Sequence, residues 1–520
     1  MGLGGPVIAM APTHSKDVSA LTDPVSNHGP STRRALLSTT AAFALSTIGG
    51  TQFADPSPSP AVSPMSDDDP WQNWSSNTNR LVRRISMGIT AVEAAKAAKM
   101  GYTTYLEEQL DANAINDAAT ESVTAQRWPR TTWSAPQLYG LLDDWVTTND
   151  LVQSTVYRAV RSRRQLQERM VEFWCDHFSM WSEKATGGTL VPFVRDVVRP
   201  NALGNFPTLL RKVIGCPAML VYLDNVYNYG DQPNINFARE ILELHTVSVT
   251  GGYTSQDIKN LARALTGWSV DDGVFSLYNK GKFLYRPYYH SPGNKVVMGH
   301  QIPSGQQDEG ESVVAFLAMH PKTAEFISKK LVRWFVSHDP DPALVQQATS
   351  VYLSTGGDIK SVLRVILAES VVSVAPPKLK RPFHLVTSAL RGNVGKLDNL
   401  DFLRWVTLYS LGHVPFSWEP PDGYPDRVDF WAASMRPRLQ FGFNLANNEV
   451  WGIDYQPTKR PQPLTRPVVL DMINRTLFGG EMSNHDRGSV SAFLTRGPLD
   501  ETLIRSAYAV ALASPSFQWY

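Results

Sequence analysis

The stretch from Asp224 to Trp268, DNVYNYGDQPNINFAREILELHTVSVTGGYTSQDIKNLARALTGW, constrains the fold more than any other part of the chain. An Asn-rich loop (Asn225, Asn228, Asn234) leads into a helix bearing Asn236, Arg239, Glu240, Glu243 and His245. Gly251 and Gly252 mark a turn. Thr254 and Asp257 then have capping-box spacing, in which hydroxyl and carboxylate satisfy each other's free backbone N–H groups. A second helix is predicted from Ser255 to about Thr266, ending at Gly267, where a left-handed cap suits glycine. The result is a helical hairpin loaded with titratable groups.

The same helical texture runs through most of the chain from Asn77. Leu81, Val82 and Ile85 have helical spacing, and Ala91 to Met100 is rich in the strong helix formers Ala and Lys. A long helix is predicted over Val152 to Phe178, another over Pro321 to Val336 with Pro in its first turn, and a last one over Asp500 to Ser514. On the Pro321 helix, Lys329, Lys330 and Arg333 read as surface. The exception to this texture is Val274 to Tyr278, the turn Asn279-Lys280-Gly281 and Lys282 to Tyr285, which read as a β-hairpin, with a short strand at Val296 to Met298. The expectation is an all-α single large body over residues 77–520 with a small β-hairpin insertion near 274–298.

Composition narrows the function classes. Lys and Arg number 49 against 48 Asp and Glu, with no dense basic run, so nucleic acid is not an expected partner. No Gly-rich phosphate loop and no GxSxG elbow occurs, so neither a nucleotide nor serine-hydrolase chemistry is expected. Two cysteines, Cys175 and Cys216, cannot make a disulfide framework. Near the N-terminus, Arg33-Arg34 precedes an apolar run from Ala35 to Ile48, which looks like a twin-arginine export signal over residues 1–54. That run is shorter than the roughly 20 residues of a membrane-spanning helix, and no integral membrane segment is expected. A Ser/Pro-rich linker over residues 55–76 follows, and the expected location is outside the cytoplasmic membrane.

The ordered set ERMVEFWCDHF, ALGNF, PAMLVYLDN, PNINFAREILELHT, GGYTSQDI, ARALTGW and HPKTAEFISKKL resembles the bacterial family catalogued as domain of unknown function 1800, from about Asn77 to the C-terminus. Where that family has Asn-Glu-Asn-Tyr, this chain has Asn234-Ile235-Asn236-Phe237; where it favours Asn before the aromatic-motif histidine, this chain has Asp176. The resemblance implies a helical, often exported protein without an assigned reaction.

The chemistry must then come from residue types. Glu240 and Glu243 share a helix face, with Arg239 four before Glu243 and Asn236 four before Glu240. On a straight helix His245 lies about 140° around from Glu240, so the three cannot chelate one ion together. A metal would need the carboxylates plus a histidine from elsewhere. His177, in MVEFWCDHF, and His290, in the loop His290 to Lys295, are the expected partners, and iron, manganese or zinc suits such a set. Glu240, Glu243, Arg239 and His245 are the expected catalytic or orienting groups, with Asn236, Asp224 and Lys295 as cofactor-binding residues. The Pro415 to Arg427 loop, PFSWEPPDGYPDR, adds Trp418, Tyr424 and Asp426 as groups that could cover a site. The expectation is an exported metal-dependent enzyme, oxidoreductase rather than hydrolase, acting on an unknown small-molecule or extracellular substrate. The competing reading is a non-catalytic exported scaffold or partner-binding protein whose polar cluster is a buried ionic network.

Overall fold

The computed structural model of the chain describes residues 69, 71–274, 277–433, 435–456 and 463–520. The Arg33-Arg34 segment and residues 55–68 and 70 of the Ser/Pro linker lie outside the described residues. The body is helical, and among the described residues the strands form three two-stranded antiparallel ladders. Among the described residues no helix is long and apolar enough to cross a membrane.

The principal helices are α1 (Asn77–Ile85), α2 (Asp144–Arg161), α3 (Gln165–His177), α4 (Phe206–Ile214), α5 (Ile235–Glu240), α6 (Ser255–Ala264), α7 (Asp308–Ala318) and α8 (Pro321–Phe335). Helix α3 buries Leu166, Met170, Phe173, Trp174 and His177, the three-and-four spacing of one helical face. Helix α8 does the same with Ala324, Ile327, Leu331, Trp334 and Phe335. The expected single helix over 152–178 is two helices. Ser162 adopts an extended conformation after Arg161, donates to the Asp117 carboxylate at 2.7 Å and accepts the Arg164 N–H at 3.0 Å, which ends α2 and starts a new axis.

The capping box forms as the spacing predicts. The Thr254 N–H donates to Asp257 Oδ2 at 2.7 Å, and the Asp257 N–H donates to Thr254 Oγ1 at 3.2 Å. The β-hairpin differs in its first arm. Trp268–Val270 (β1) pairs with Phe283–Tyr285 (β2), so the strand begins directly after Gly267, which has a φ of +81°. A second ladder joins Lys295–Val297 (β3) to His300–Ile302 (β4), and a third joins Val394–Leu397 (β5) to Ile453–Tyr455 (β6).

Two hydrophobic cores result. One is built from α1 and the helices up to Ala375; the other gathers residues of α2 with those from Phe383 to Phe517. Phe416 packs against both, and a small cluster of Leu379, Tyr424 and Trp431 sits beside it. The Pro415 to Arg427 loop is therefore laid across the seam between two cores. Both cysteines are free.

Candidate functional site

The helix expected to carry Glu240, Glu243 and His245 is not straight. After α5, residues Ile241–His245 wind as a π-turn, whose i→i+5 bonding takes in one residue more than an α-turn. The Thr246 hydroxyl donates to the Ile241 carbonyl at 2.7 Å and holds the turn closed. His245 is driven into the core, fully buried, while Arg239, Glu240 and Glu243 stay half-buried. Burial, then the neighbouring Glu243 carboxylate, pushes the Glu240 carboxyl up to about 7, against the pull of Arg239. The Tyr253 hydroxyl bonds to Glu243, and burial together with that carboxylate pushes the phenol up to about 12.

His245 and His177 lock two segments to each other. His177 Nε2–H donates to the His245 carbonyl at 3.2 Å, and His245 Nδ1–H donates to the His177 carbonyl at 3.1 Å. Carbonyls only accept, so each bond fixes a tautomer. In His177 this leaves Nδ1 as an acceptor, and it takes a hydrogen bond of 2.9 Å from the Lys330 amine. Burial holds both imidazoles neutral: His177 falls well below its ordinary value and His245 to about 3.

Lys330 is the residue that the sequence reading misplaced. It lies on α8 with its amine about 5.5 Å from the centre of the Phe326 ring and opens into a cleft of about 410 Å3. The cleft is walled by Phe173, Leu244, Phe326, Trp334, His177 and the Asp422 to Arg427 segment. Among the described residues Lys330 forms no ion pair, and burial pushes its amine down to about 8, against the pull of Asp176 and Asp422. Arg333 lines the same cleft, so it too is not simply surface. A signal was present: Phe326, Lys330, Arg333 and Trp334 follow one another at helical spacing, a mixed aromatic and cationic stripe beside the apolar one.

The loop over the cleft is fixed by close approach. Gly423 has a φ of +81°, and a Cβ there would lie 2.2 Å from the Asp176 carbonyl oxygen, so the loop rests on the end of α3 backbone to backbone. The Trp418 indole N–H donates to Asp422 at 2.9 Å, and the Tyr424 hydroxyl donates to the Val414 carbonyl at 2.7 Å. Below the loop, Arg381 bridges Glu172 (2.6 Å) and Asp176, one turn apart on α3. Burial nevertheless raises Asp176 to about 6. Asp426 is paired with Lys378 at 3.1 Å; against the upward push of burial, Lys378 and Arg381 hold its carboxyl below the ordinary range.

The remaining expected site residues lie elsewhere. Asp224, in the left-handed conformation, pairs with Lys184 at 2.8 Å and gives its carbonyl to the Asn234 amide. Asn225 and Asn228 donate to carbonyls at the end of α6 and at Trp268, so this loop ties the hairpin together. Asn236 is exposed. His290 and Lys295 belong to a separate buried network. Lys295 Nζ meets Glu309 Oε2 at 2.5 Å and donates to the Ser291 and Gly293 carbonyls, while His290 Nε2 is 3.3 Å from Glu309 Oε1 and its Nδ1–H donates to the Thr266 carbonyl at 3.0 Å. His177 and His290 thus serve different networks. Among the described residues no three His, Cys, Asp or Glu side chains are grouped to hold a metal ion. The residues expected as ligands do not form one donor set.

No curated protein and no solved structure matches the chain. The family profile described as "Protein of unknown function (DUF1800)" matches it over residues 80–519, a span that takes in α3, the π-turn, α8 and the loop above the cleft. The chain belongs to the DUF1800 family.

Proposed function

We propose that this chain is an exported enzyme acting on a small molecule, with Lys330 as its reactive amine. The observation that carries the reading is an amine without a carboxylate partner among the described residues, resting on a neutral histidine and facing a cleft of about 410 Å3. That volume falls in the range of small-molecule sites, about 300–1,000 Å3. A half-buried ammonium without a counter-ion adds nothing to stability, so its place here points to use rather than to packing. At pH 7 an amine titrating at about 8 is roughly one-tenth neutral, against about one part in a few thousand for an ordinary lysine. The neutral form is the nucleophile and the proton acceptor.

The tautomer of His177 directs that nucleophile. One amine N–H is spent on His177 Nδ1, which leaves the lone pair free to face the cleft. The Arg33-Arg34 segment supports export. The metal-dependent oxidoreductase expected from the sequence rests on ligands that the fold distributes over separate networks, and the amine reading replaces it here.

The test is limiting trinitrobenzenesulfonate on the folded full-length chain, with peptide mapping across pH. Lys330 should react ahead of the exposed lysines, with a midpoint near pH 8. A midpoint near the ordinary value of about 10.4 would sink the reading and favour a scaffold whose polar groups are structural.

A further inference from the structure

Arg333 stands three residues beyond Lys330 on α8, so the two side chains leave neighbouring positions, with Cβ atoms about 5–6 Å apart, and enter the same cleft. Its Nε–H donates to the His338 carbonyl at 3.2 Å. Among the described residues it has no carboxylate partner. Two of the acids around it are paired with other cations, Asp176 with Arg381 and Asp426 with Lys378, while Asp422 sits at the exposed rim and accepts the Trp418 indole N–H. The cleft therefore pairs a guanidinium edge with an amine, and each lacks a fixed counter-ion. Phe326, Leu244 and Trp334 give the cleft an apolar wall, and Asp176, His177 and the Asp422 to Arg427 segment line the rest.

A guanidinium fork matches a carboxylate bidentately, and an amine in its neutral form adds to a carbonyl carbon. We propose that the cleft takes a 2-oxo acid, its carboxylate on Arg333 and its adjacent carbonyl carbon on Lys330 Nζ. This rests on the reading of Lys330 as the reactive amine and adds the substrate class. The step balances within the two reactants. The nitrogen lone pair forms the new C–N bond while the carbonyl π pair moves onto oxygen, which takes one proton from nitrogen. The resulting carbinolamine loses its hydroxyl with the second nitrogen proton as water, leaving an imine. Phe326, Leu244 and Trp334 are placed to receive the side chain of the oxo acid.

Borohydride trapping with a matched pair of probes tests this on the folded full-length protein. Pyruvate carries the carboxylate; pyruvamide, of nearly the same shape, does not. Reduced adducts are quantified by mass spectrometry and mapped. Pyruvate should label Lys330 at least about tenfold more than pyruvamide, the ratio that one charge-assisted contact supplies. In Arg333→Gln the preference should vanish while pyruvamide labelling persists. Equal labelling of Lys330 by both probes overturns the carboxylate assignment and leaves the amine reading standing. No labelling by either probe, with Lys330 still reacting with trinitrobenzenesulfonate at a midpoint near pH 8, overturns the imine while sparing the amine. Failure of both reagents removes both proposals. The comparison in the unaltered protein stands even if Arg333→Gln does not fold.

Discussion

Removing Glu309 separates fold from function, because its network lies apart from the cleft. The Lys295 and Glu309 side chains are 0% and 1% exposed, and their charges meet at 2.5 Å. Glu309→Leu strands the Lys295 ammonium and takes the facing carboxylate from His290. Breaking a buried pair from one side costs about 3–5 kcal/mol, a large share of the roughly 5–15 kcal/mol that holds a domain folded. Because the Ser291 and Gly293 carbonyls still accept from Lys295, the lower end of that range is expected. Lys295→Met alone leaves a buried carboxylate and should cost as much. The double variant removes both charges. Its residual cost is the two carbonyls left without a donor and the Gly305 N–H left without its acceptor, about 1–3 kcal/mol. Urea unfolding of the four proteins, with the slope constant across them, measures the cycle. The reasoning is refuted if the double variant costs near the sum of the singles, about 6–10 kcal/mol. It also fails if Glu309→Leu is nearly silent.

Two further outcomes concern the loop over the cleft and the Glu240 carboxyl. Gly423→Ala places a Cβ 2.2 Å from the Asp176 carbonyl and should lift the loop off α3. Faster proteolysis at 418–427 and a rise of the Lys330 midpoint from about 8 report it; no change in either would contradict the close approach. Glu240 titrates at about 7 when folded, above its unfolded value, so the folded state binds more protons across the window between them. Its contribution to stability therefore falls as pH rises from about 4.5 to 7. Glu240→Gln should gain stability over the parent at pH 8 relative to pH 5, and an equal difference at both pH values would count against the shift.

The helical architecture was legible because it rests on local signals. The Thr254–Asp257 box places the start of α6, whereas the helix ends at Ala264, two residues short of the expected end at Thr266, with Leu265 as its cap and the Gly267 N–H donating to the Asn228 carbonyl. The π-turn was not legible. Its cause is tertiary, since the extra residue is stabilised by the Thr246 hydroxyl and by the His177 carbonyl from a distant helix. The first hairpin arm was misplaced because Val274, Leu277 and Tyr278 suggest a strand by composition, yet they are exposed, while Trp268 and Val270 take the buried side. Lys330 and Arg333 were discounted for a similar reason. A cation on an amphipathic helix normally faces water, and here the loop at 422–427 supplies a wall that only the folded chain reveals. Glu240, Glu243 and His245 do gather on one segment, but the turn sends the histidine inward and leaves the carboxylates half-buried.

That turn also has a consequence for sequence length. An α-helix with one residue inserted becomes a π-turn, and deleting one residue between Ile241 and His245 would restore the ordinary ladder. Everything downstream would then rotate by about 100°, carrying His245 away from the His177 carbonyl and Thr246 away from Ile241. With its Nε2–H bond to the His245 carbonyl lost, His177 would be free to take either tautomer, and Lys330 would lose its fixed acceptor. A one-residue gap at this point in a related sequence thus marks a chain whose amine is no longer aimed, whatever residues it retains around the cleft.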